Sequence, residues 1–316
     1  MKLAAIMLVA GSGVIALPAA TVGQLTYSKG QNVSPAFEGW TQNADGSYEL
    51  LFGYMNRNWL EELDVPVGDA NYFSPGPADR GQPTHFMPRR NRWVFKVRVP
   101  ADWGDKELVW TLTTAGKTEH AYASLRPDYV VDNVVIASET GALGAGSSNA
   151  ETRSNTPPVI SLEGGPTRRV TVGQTLELTA VVEDDGIPRA RSRDAGGDEQ
   201  EDPDGPRTLS DRQLRPPARV TVNKVVGLHL AWFVYRGEAD IEFDPPQVKA
   251  WEDTRTGANS PWAPLWQAPQ VPEGGRYVVR VTFDRPGTYV LRARADDGGL
   301  YSDAEVTVIV GPATTS

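Results

Sequence analysis

Apolar and polar residues alternate with period two along much of the chain, and no long stretch repeats an apolar position every three to four residues; the pattern predicts strands rather than helices. The clearest strand pair closes the sequence. In PGTYVLRARADDGGLYSDAEVTVIV, Tyr289, Leu291, Ala293 and Ala295 alternate with Val290, Arg292, Arg294 and Asp296. Beyond an Asp-Gly-Gly turn, Val306, Val308 and Val310 alternate again, which predicts an antiparallel hairpin with one buried face. Nearer the start, Tyr48, Leu50, Phe52 and Tyr54 alternate after the turn Asn43-Ala44-Asp45-Gly46, and Trp93, Phe95, Val97 and Val99 mark another strand. Residues 109–114 and 118–123 form a hairpin across Ala115-Gly116-Lys117. The intervening VPVGDANYFSPGPADRGQPTHFMP has no period and is expected as surface loop, pinned by Pro66, Pro75, Pro77, Pro83 and Pro88. Further strands are expected at 159–162, 169–172, 176–182, 228–235, 239–243 and 276–283.

These elements divide the chain into an N-terminal β-sandwich over residues 24–137, a Gly/Ser-rich flexible linker over 138–157 and a second β-sandwich over 158–312, an all-β protein with room for two cores in its 316 residues. Relative motion of the two units is the default expectation for such a tether. Residues 1–23, with one Lys, a short apolar run broken by Gly11, Ser12 and Gly13, and then small residues, follow the plan of a secretory signal peptide rather than a membrane span. The expected place of work is therefore exported: periplasmic, cell-surface or extracellular, with no membrane span left after cleavage. Within the second sandwich, residues 189–226 (containing RARSRDAGGDEQEDPDGPR) are too polar and too charged to pack and are expected as a disordered insertion, either merely solvated or a docking segment. The stretch WEDTRTGANSPWAPLW at 251–266 is expected either as a lid over the sandwich edge or as an exposed aromatic contact.

The absence of Cys excludes disulfides and thiolate metal sites, and a net charge of −9 argues against a nucleic-acid partner. No nucleophile elbow, phosphate-cradling loop or His-Glu-x-x-His spacing is present, so nothing points to a catalytic centre. Asn56, Arg57 and Asn58 at a strand end, with Asn71, Asp79, Arg80, Gln82, His85 and Arg89 on the long loop, carry the amides and guanidinium groups that would hydrogen-bond a sugar. Trp40, Tyr54, Trp59 and Tyr72 would supply flat apolar faces for it; alternatively these rings fill the core and the amides hold the loop's own backbone. Glu61, Glu62 and Asp64 are the acids a glycan hydrolase would need. In the C-terminal half, Glu183, Asp184, Asp185, Asp296, Asp297 and Asp303 are expected at one pole, either as a weak Ca²⁺ site or as turn residues facing water.

The stretches NTPPVISL, VGQTLELTAVVEDDGIP, LHLAWFVYRG, IEFDPPQ and RPGTYVLRARADDGGLYSDAEVTVIV resemble the immunoglobulin-like modules of bacterial exported proteins related to polycystic kidney disease (PKD) and cadherin-like repeats. The resemblance implies an immunoglobulin-like fold with Trp232 as the core Trp and Tyr289 opening the penultimate strand. In the N-terminal half, GYMNRN, PVGDANYFSPGPADRGQPTHFMPRR and VWTLTTAG resemble an exported bacterial β domain to which no activity is attached. Fold does not give function. The expectation is a non-catalytic exported protein of two sandwich modules acting in adhesion, display or binding of an envelope protein or other ligand. The alternatives are a carbohydrate-binding protein using the N-terminal module and, behind it, a glycan-active hydrolase.

Overall fold

The computed structural model describes residues 28–139, 150–189, 227–238, 241–250 and 269–313. Segment 1–23, expected as a signal peptide, most of the expected linker at 140–149, the insertion at 190–226 and the tryptophan-rich stretch at 251–266 lie outside the described residues.

In the N-terminal half, β1 (Val33–Gln42), β2 (Tyr48–Asn56) and β6 (Arg89–Val99) form an antiparallel sheet in the order β1-β2-β6. A second sheet takes β4 (Asn71–Ser74), β7 (Leu108–Thr114) and β8 (Lys117–Ala123), and β3 (Leu63–Asp64) pairs with β5 (His85–Phe86). Alternation along β2 sends Leu50, Phe52 and Tyr54 inward, where they meet Phe73, Phe86, Phe95 and Trp110. Phe52 stacks on Phe95 with ring centroids 5.3 Å apart and meets Trp110 edge-on, the offset arrangements aromatic quadrupoles favour. The β7–β8 turn holds Ala115 and Gly116 at φ 49° and 71°, the positive pair a two-residue hairpin requires.

Two expectations for this half fail. The proline-punctuated passage is not all surface loop: it contains β4, whose Phe73 is core, and it buries Asn71, Gln82, His85 and Phe86. The alternation of β6 also breaks. Its pairing with β2 slips between Phe52 and Tyr54, and Trp93 takes φ 52°, so Phe95, Val97 and Val99 enter the N-terminal core while Trp93 joins a separate apolar cluster. A bulge of this kind re-aims one side chain and flips the face of those beyond it.

Among the described residues the C-terminal half is a sandwich of two four-stranded sheets. One runs β13 (Ile241–Asp244), β14 (Arg276–Phe283), β11 (Thr175–Glu183) and β9 (Val159–Leu162); the other runs β10 (Thr167–Thr171), β16 (Tyr301–Gly311), β15 (Gly287–Asp296) and β12 (His229–Arg236). The first strand segment thus splits between the sheets, and β10 pairs parallel with the last strand, β16. Trp232, Leu291, Val308 and Phe283 lie in the core. The Tyr289 hydroxyl donates to the Arg285 carbonyl 3.0 Å away, closing the corner before the penultimate strand. Strand order and this tyrosine corner are those of an immunoglobulin-like sandwich. The closing hairpin departs from expectation in one respect: both faces of β15 are buried from Leu291 to Asp296.

Two short helices, α1 (Asn133–Glu139) and α2 (Ala150–Ser154), flank the linker, and no helix among the described residues is long and apolar enough to cross a membrane. The halves also touch directly, so the expectation of a free tether meets a built interface.

Candidate functional site

The interface explains why β15 buries both faces. Arg292 and Arg294 point away from the sandwich core and into the N-terminal half, where they are 5 % and 7 % exposed. Cross-strand register gives each an acid: Arg294 faces Asp303 in a bidentate pair at 2.8 Å, and Arg292 reaches Glu305 with its Nε at 3.0 Å. Their remaining donors satisfy carbonyls of β6: Arg292 donates to Val94, and Arg294 donates to Trp93 at 3.1 Å. The Tyr301 hydroxyl donates to the same Trp93 carbonyl at 2.8 Å, and the Trp93 N–H donates to Glu38 at 2.5 Å. Glu38 is itself held by Arg90, and burial pushes its carboxyl above the usual carboxylate range against that cation's pull. The guanidinium of Arg292 lies 3.4 Å from the ring centroid of Tyr235, and that of Arg294 lies 4.2 Å from Tyr301. Leu300 completes the contact by packing with Leu51, Trp93, Val131 and Ile136.

A second contact lies beside it. Arg236 forms a fork with Asp79 at 2.7 and 3.0 Å and donates through Nε to the Gln82 carbonyl at 2.8 Å. The Thr84 N–H donates to the Tyr235 carbonyl at 3.1 Å, so the loop before β5 hydrogen-bonds to β12.

The amides expected to meet a sugar are spent inside the N-terminal half. Asn56 donates to the carbonyls of Glu61 and Phe86, Asn58 both donates to and accepts from the Gln31 backbone, and Asn71 donates to Val65 and Pro83 while accepting from the Trp110 indole. Gln82 donates to the Ala78 carbonyl and accepts from the Arg80 N–H. All four side chains are buried, as unpaired loop backbone demands. Tyr54 is core, whereas Arg57 reaches Ser34 at the surface, Arg80 donates to the Pro75 carbonyl and Arg89 stacks on Trp59 at 3.8 Å. Tyr72 lies on the outer face of the second sheet, at the same register as Thr111 and His120. Arg89 also donates to the Arg57 carbonyl at 2.9 Å, so Arg57, Trp59 and Arg89 meet, while the four amides are turned inward.

His85 is buried between two acids: Nδ1 lies 2.8 Å from Asp64 and Nε2 lies 2.8 Å from Glu62. Burial opposes the imidazolium, yet the two carboxylate hydrogen bonds outweigh it and hold the ring's pKa at about 9. Glu62 keeps 46 % of its side chain exposed, and Glu61 accepts from the Gly30 N–H at 2.6 Å. Two acids clamped on one imidazolium form an ion cluster, not the facing pair that glycoside hydrolysis uses.

At the pole of the C-terminal sandwich the two acidic turns come together through Asn155 and Thr156. Asn155 donates to Asp297 at 3.1 Å, and Asp185 accepts both from the Thr156 N–H at 2.8 Å and from its hydroxyl at 2.7 Å. Asp297 also accepts the N–H groups of Gly299 and Leu300, Asp296 that of Gly298, and Asp184 that of Gly186. Burial nonetheless lifts the Asp297 carboxyl to about 7 and raises Asp184. Glu183 ends β11 exposed. Asp303 does not belong to this group: the hairpin register sets it opposite Arg294, in the interface. Among the described residues no three His, Asp or Glu side chains stand close enough to hold a metal ion by themselves, while Asn155 Oδ1 and Asp184 Oδ1 are buried acceptors without a partner.

No family model and no curated protein matches the chain. Solved structures similar to it include the PKD domain of human KIAA0319, 14 % identical over 54 % of this chain and 96 % of that one, with a TM-score of 0.22. The S-layer protein rSbsC is 10 % identical over 89 % of this chain and 28 % of that one at a TM-score of 0.23. The N-terminal eight immunoglobulin domains of Down Syndrome Cell Adhesion Molecule are 8 % identical over 89 % and 27 %, at 0.21.

The His85 cluster sets a pH dependence. Its folded pKa of about 9 exceeds the ordinary 6.5, so its stabilisation is complete below pH 6.5 and is lost as pH rises to about 9. The loss amounts to about 3 kcal/mol at roughly 1.4 kcal/mol per pKa unit. Urea midpoints are expected to fall over this interval in the native chain and to stay nearly level in His85→Gln; parallel curves for the two would contradict the assignment. Asp297 acts in a lower window, because a raised carboxyl loses its contribution between about pH 4 and 7.

Proposed function

We propose that the chain is a non-catalytic exported protein of the periplasm or cell surface, in which two β-sandwich modules are locked together to hold or display a binding surface for another envelope molecule. The observation that carries this reading is the interface itself. Its charged side chains pair with one another or cap backbone carbonyls, as a structural brace does, and leave no nucleophile beside a base. A module pair used for display must keep a fixed geometry between its parts, and buried arginine forks impose one. The protein expressed with its leader in its native host is expected in the periplasmic or surface fraction, lacking about the first 23 residues by mass spectrometry, and crosslinked to an envelope component. Cytosolic protein with an intact leader would contradict export, and an exported chain that crosslinks to nothing would contradict display.

A Ca²⁺ ion at the pole of the C-terminal sandwich is part of the proposal, supported by the unpartnered Oδ1 of Asn155, whose amide donates to Asp297, and by the unpartnered Oδ1 of Asp184 on the other acidic turn. Amide and carbonyl oxygens complete weak Ca²⁺ sites that carboxylates alone do not. Millimolar Ca²⁺ is expected to raise the melting temperature and EDTA to reverse the rise; no response to either removes the ion.

Carbohydrate binding is the second reading, and one observation favours it on a different face from that drawn from the sequence. On β8, Tyr122 is 56 % exposed with His120 beside it at 5.9 Å between ring centroids, and Tyr72 lies two strands away at the His120 register. A sheet face of rings with the exposed Thr113 and Thr118 hydroxyls suits a pyranose. Pull-down on insoluble polysaccharides that is lost in Tyr122→Ala supports it, and retention equal to the native chain's defeats it.

A further inference from the structure

Among the described residues β12 is the terminal strand of its sheet, yet nearly every side chain on it is buried. One face enters the sandwich core and the other meets the N-terminal half, and Trp232, Phe233 and Val234 line a groove. The Trp232 N–H points away from β15, because it donates to the Gln247 side chain 3.0 Å away in place of a neighbouring strand. Strand geometry then turns the Trp232 carbonyl and the Val234 N–H outward as well. Neither finds a hydrogen-bond partner among the described residues, whereas Tyr235, at the bulge that follows, is met by Thr84. Edge strands are normally covered or blunted by charge, and this one is capped by another part of the chain at two points with a gap between them.

The gap opens on a groove of about 420 Å³ between the halves. Met87, Phe243 and Val248 make its walls apolar. Its charges are unequal: Glu62 and Glu242 line it against Lys249, and the positive charge of His85 is offset by Asp64 behind it. The Glu62 carboxylate is held by His85 and still half open to the groove, a pre-oriented acceptor in apolar surroundings.

We propose that this groove receives an extended peptide segment of a partner protein, which adds to the groove-lining edge of β12 by main-chain hydrogen bonds at the Trp232 carbonyl and the Val234 N–H and places a Lys or Arg side chain on Glu62. Main-chain pairing supplies the affinity and the carboxylate the selection, the division of labour in strand addition. This deepens the binding role proposed above and rests on it.

The probes are a synthetic heptapeptide alternating Val and Lys, its Val/Glu counterpart, and a backbone N-methylated form of the first, each titrated into the full chain with amide signals followed by NMR. The Val/Lys peptide is expected to shift the Val234 and Trp232 amides and to slow exchange of the Val234 proton. The Val/Glu peptide, and the Val/Lys peptide against Glu62→Gln, are each expected to bind about tenfold more weakly, as loss of one charge-assisted contact implies. N-methylation is expected to abolish binding. Equal affinity for the two peptides, unchanged binding on N-methylation, no binding up to millimolar peptide, or Val234 protection that appears with protein concentration alone and so reports a second copy would each overturn it. Export and crosslinking through another face would leave the proposed function standing while removing this groove.

Discussion

The backbone carbonyl of Trp93 is the point on which the two halves depend. It accepts from Arg294 and from Tyr301, both on the closing hairpin of the C-terminal sandwich, while the same residue's N–H is held by Glu38 within the N-terminal sheet. Burying two guanidinium groups is costly unless each donor finds an acceptor. Here the acids come from cross-strand register and the carbonyls from a strand of the other half. The arrangement works only when both halves are folded, which couples their stabilities.

Everything near that contact is bent to serve it. A register slip beside Gly53 and a positive φ at Trp93 take one aromatic out of the N-terminal core and set it against Leu300, Val131 and Ile136. Gly53 is required there, since a Cβ would come within 2.3 Å of the Glu38 carboxylate and 2.5 Å of the Asn91 carbonyl. The long proline-rich passage, with its buried Asn71 and Gln82, is shaped by its own amides so that Asp79, Gln82 and Thr84 face Arg236 and Tyr235. Polar groups that in isolation resemble a ligand site are the internal scaffolding of an interface.

This is also why the sequence was legible in some places and not in others. Period-two alternation sufficed for β2, β7, β11 and the closing hairpin, and the resemblance to immunoglobulin-like modules implied a core Trp232 and a Tyr289 opening the penultimate strand, both of which lie in the core. Alternation reports that a strand has two faces, but not what covers each. Arg292 and Arg294 occupy the positions a solvent-facing sheet would give them, and only the second module buries them. For the same reason Asp303 looked like part of an acidic pole until register assigned it to Arg294. The slip at Trp93 left no periodic signal. The Asn and Gln side chains were ambiguous because the same amide chemistry serves a ligand and a loop, and only burial separates the two uses.

If Arg294 on the Trp93 carbonyl and Arg292 on the Val94 carbonyl hold the halves together, the two modules tumble as one particle. Backbone ¹⁵N relaxation of the full chain measures this directly, by giving a rotational correlation time for each half. A single correlation time for both, splitting into two shorter ones in an Arg292→Ala, Arg294→Ala double variant whose halves remain folded, is the result the account requires. Two distinct correlation times in the native chain would contradict it.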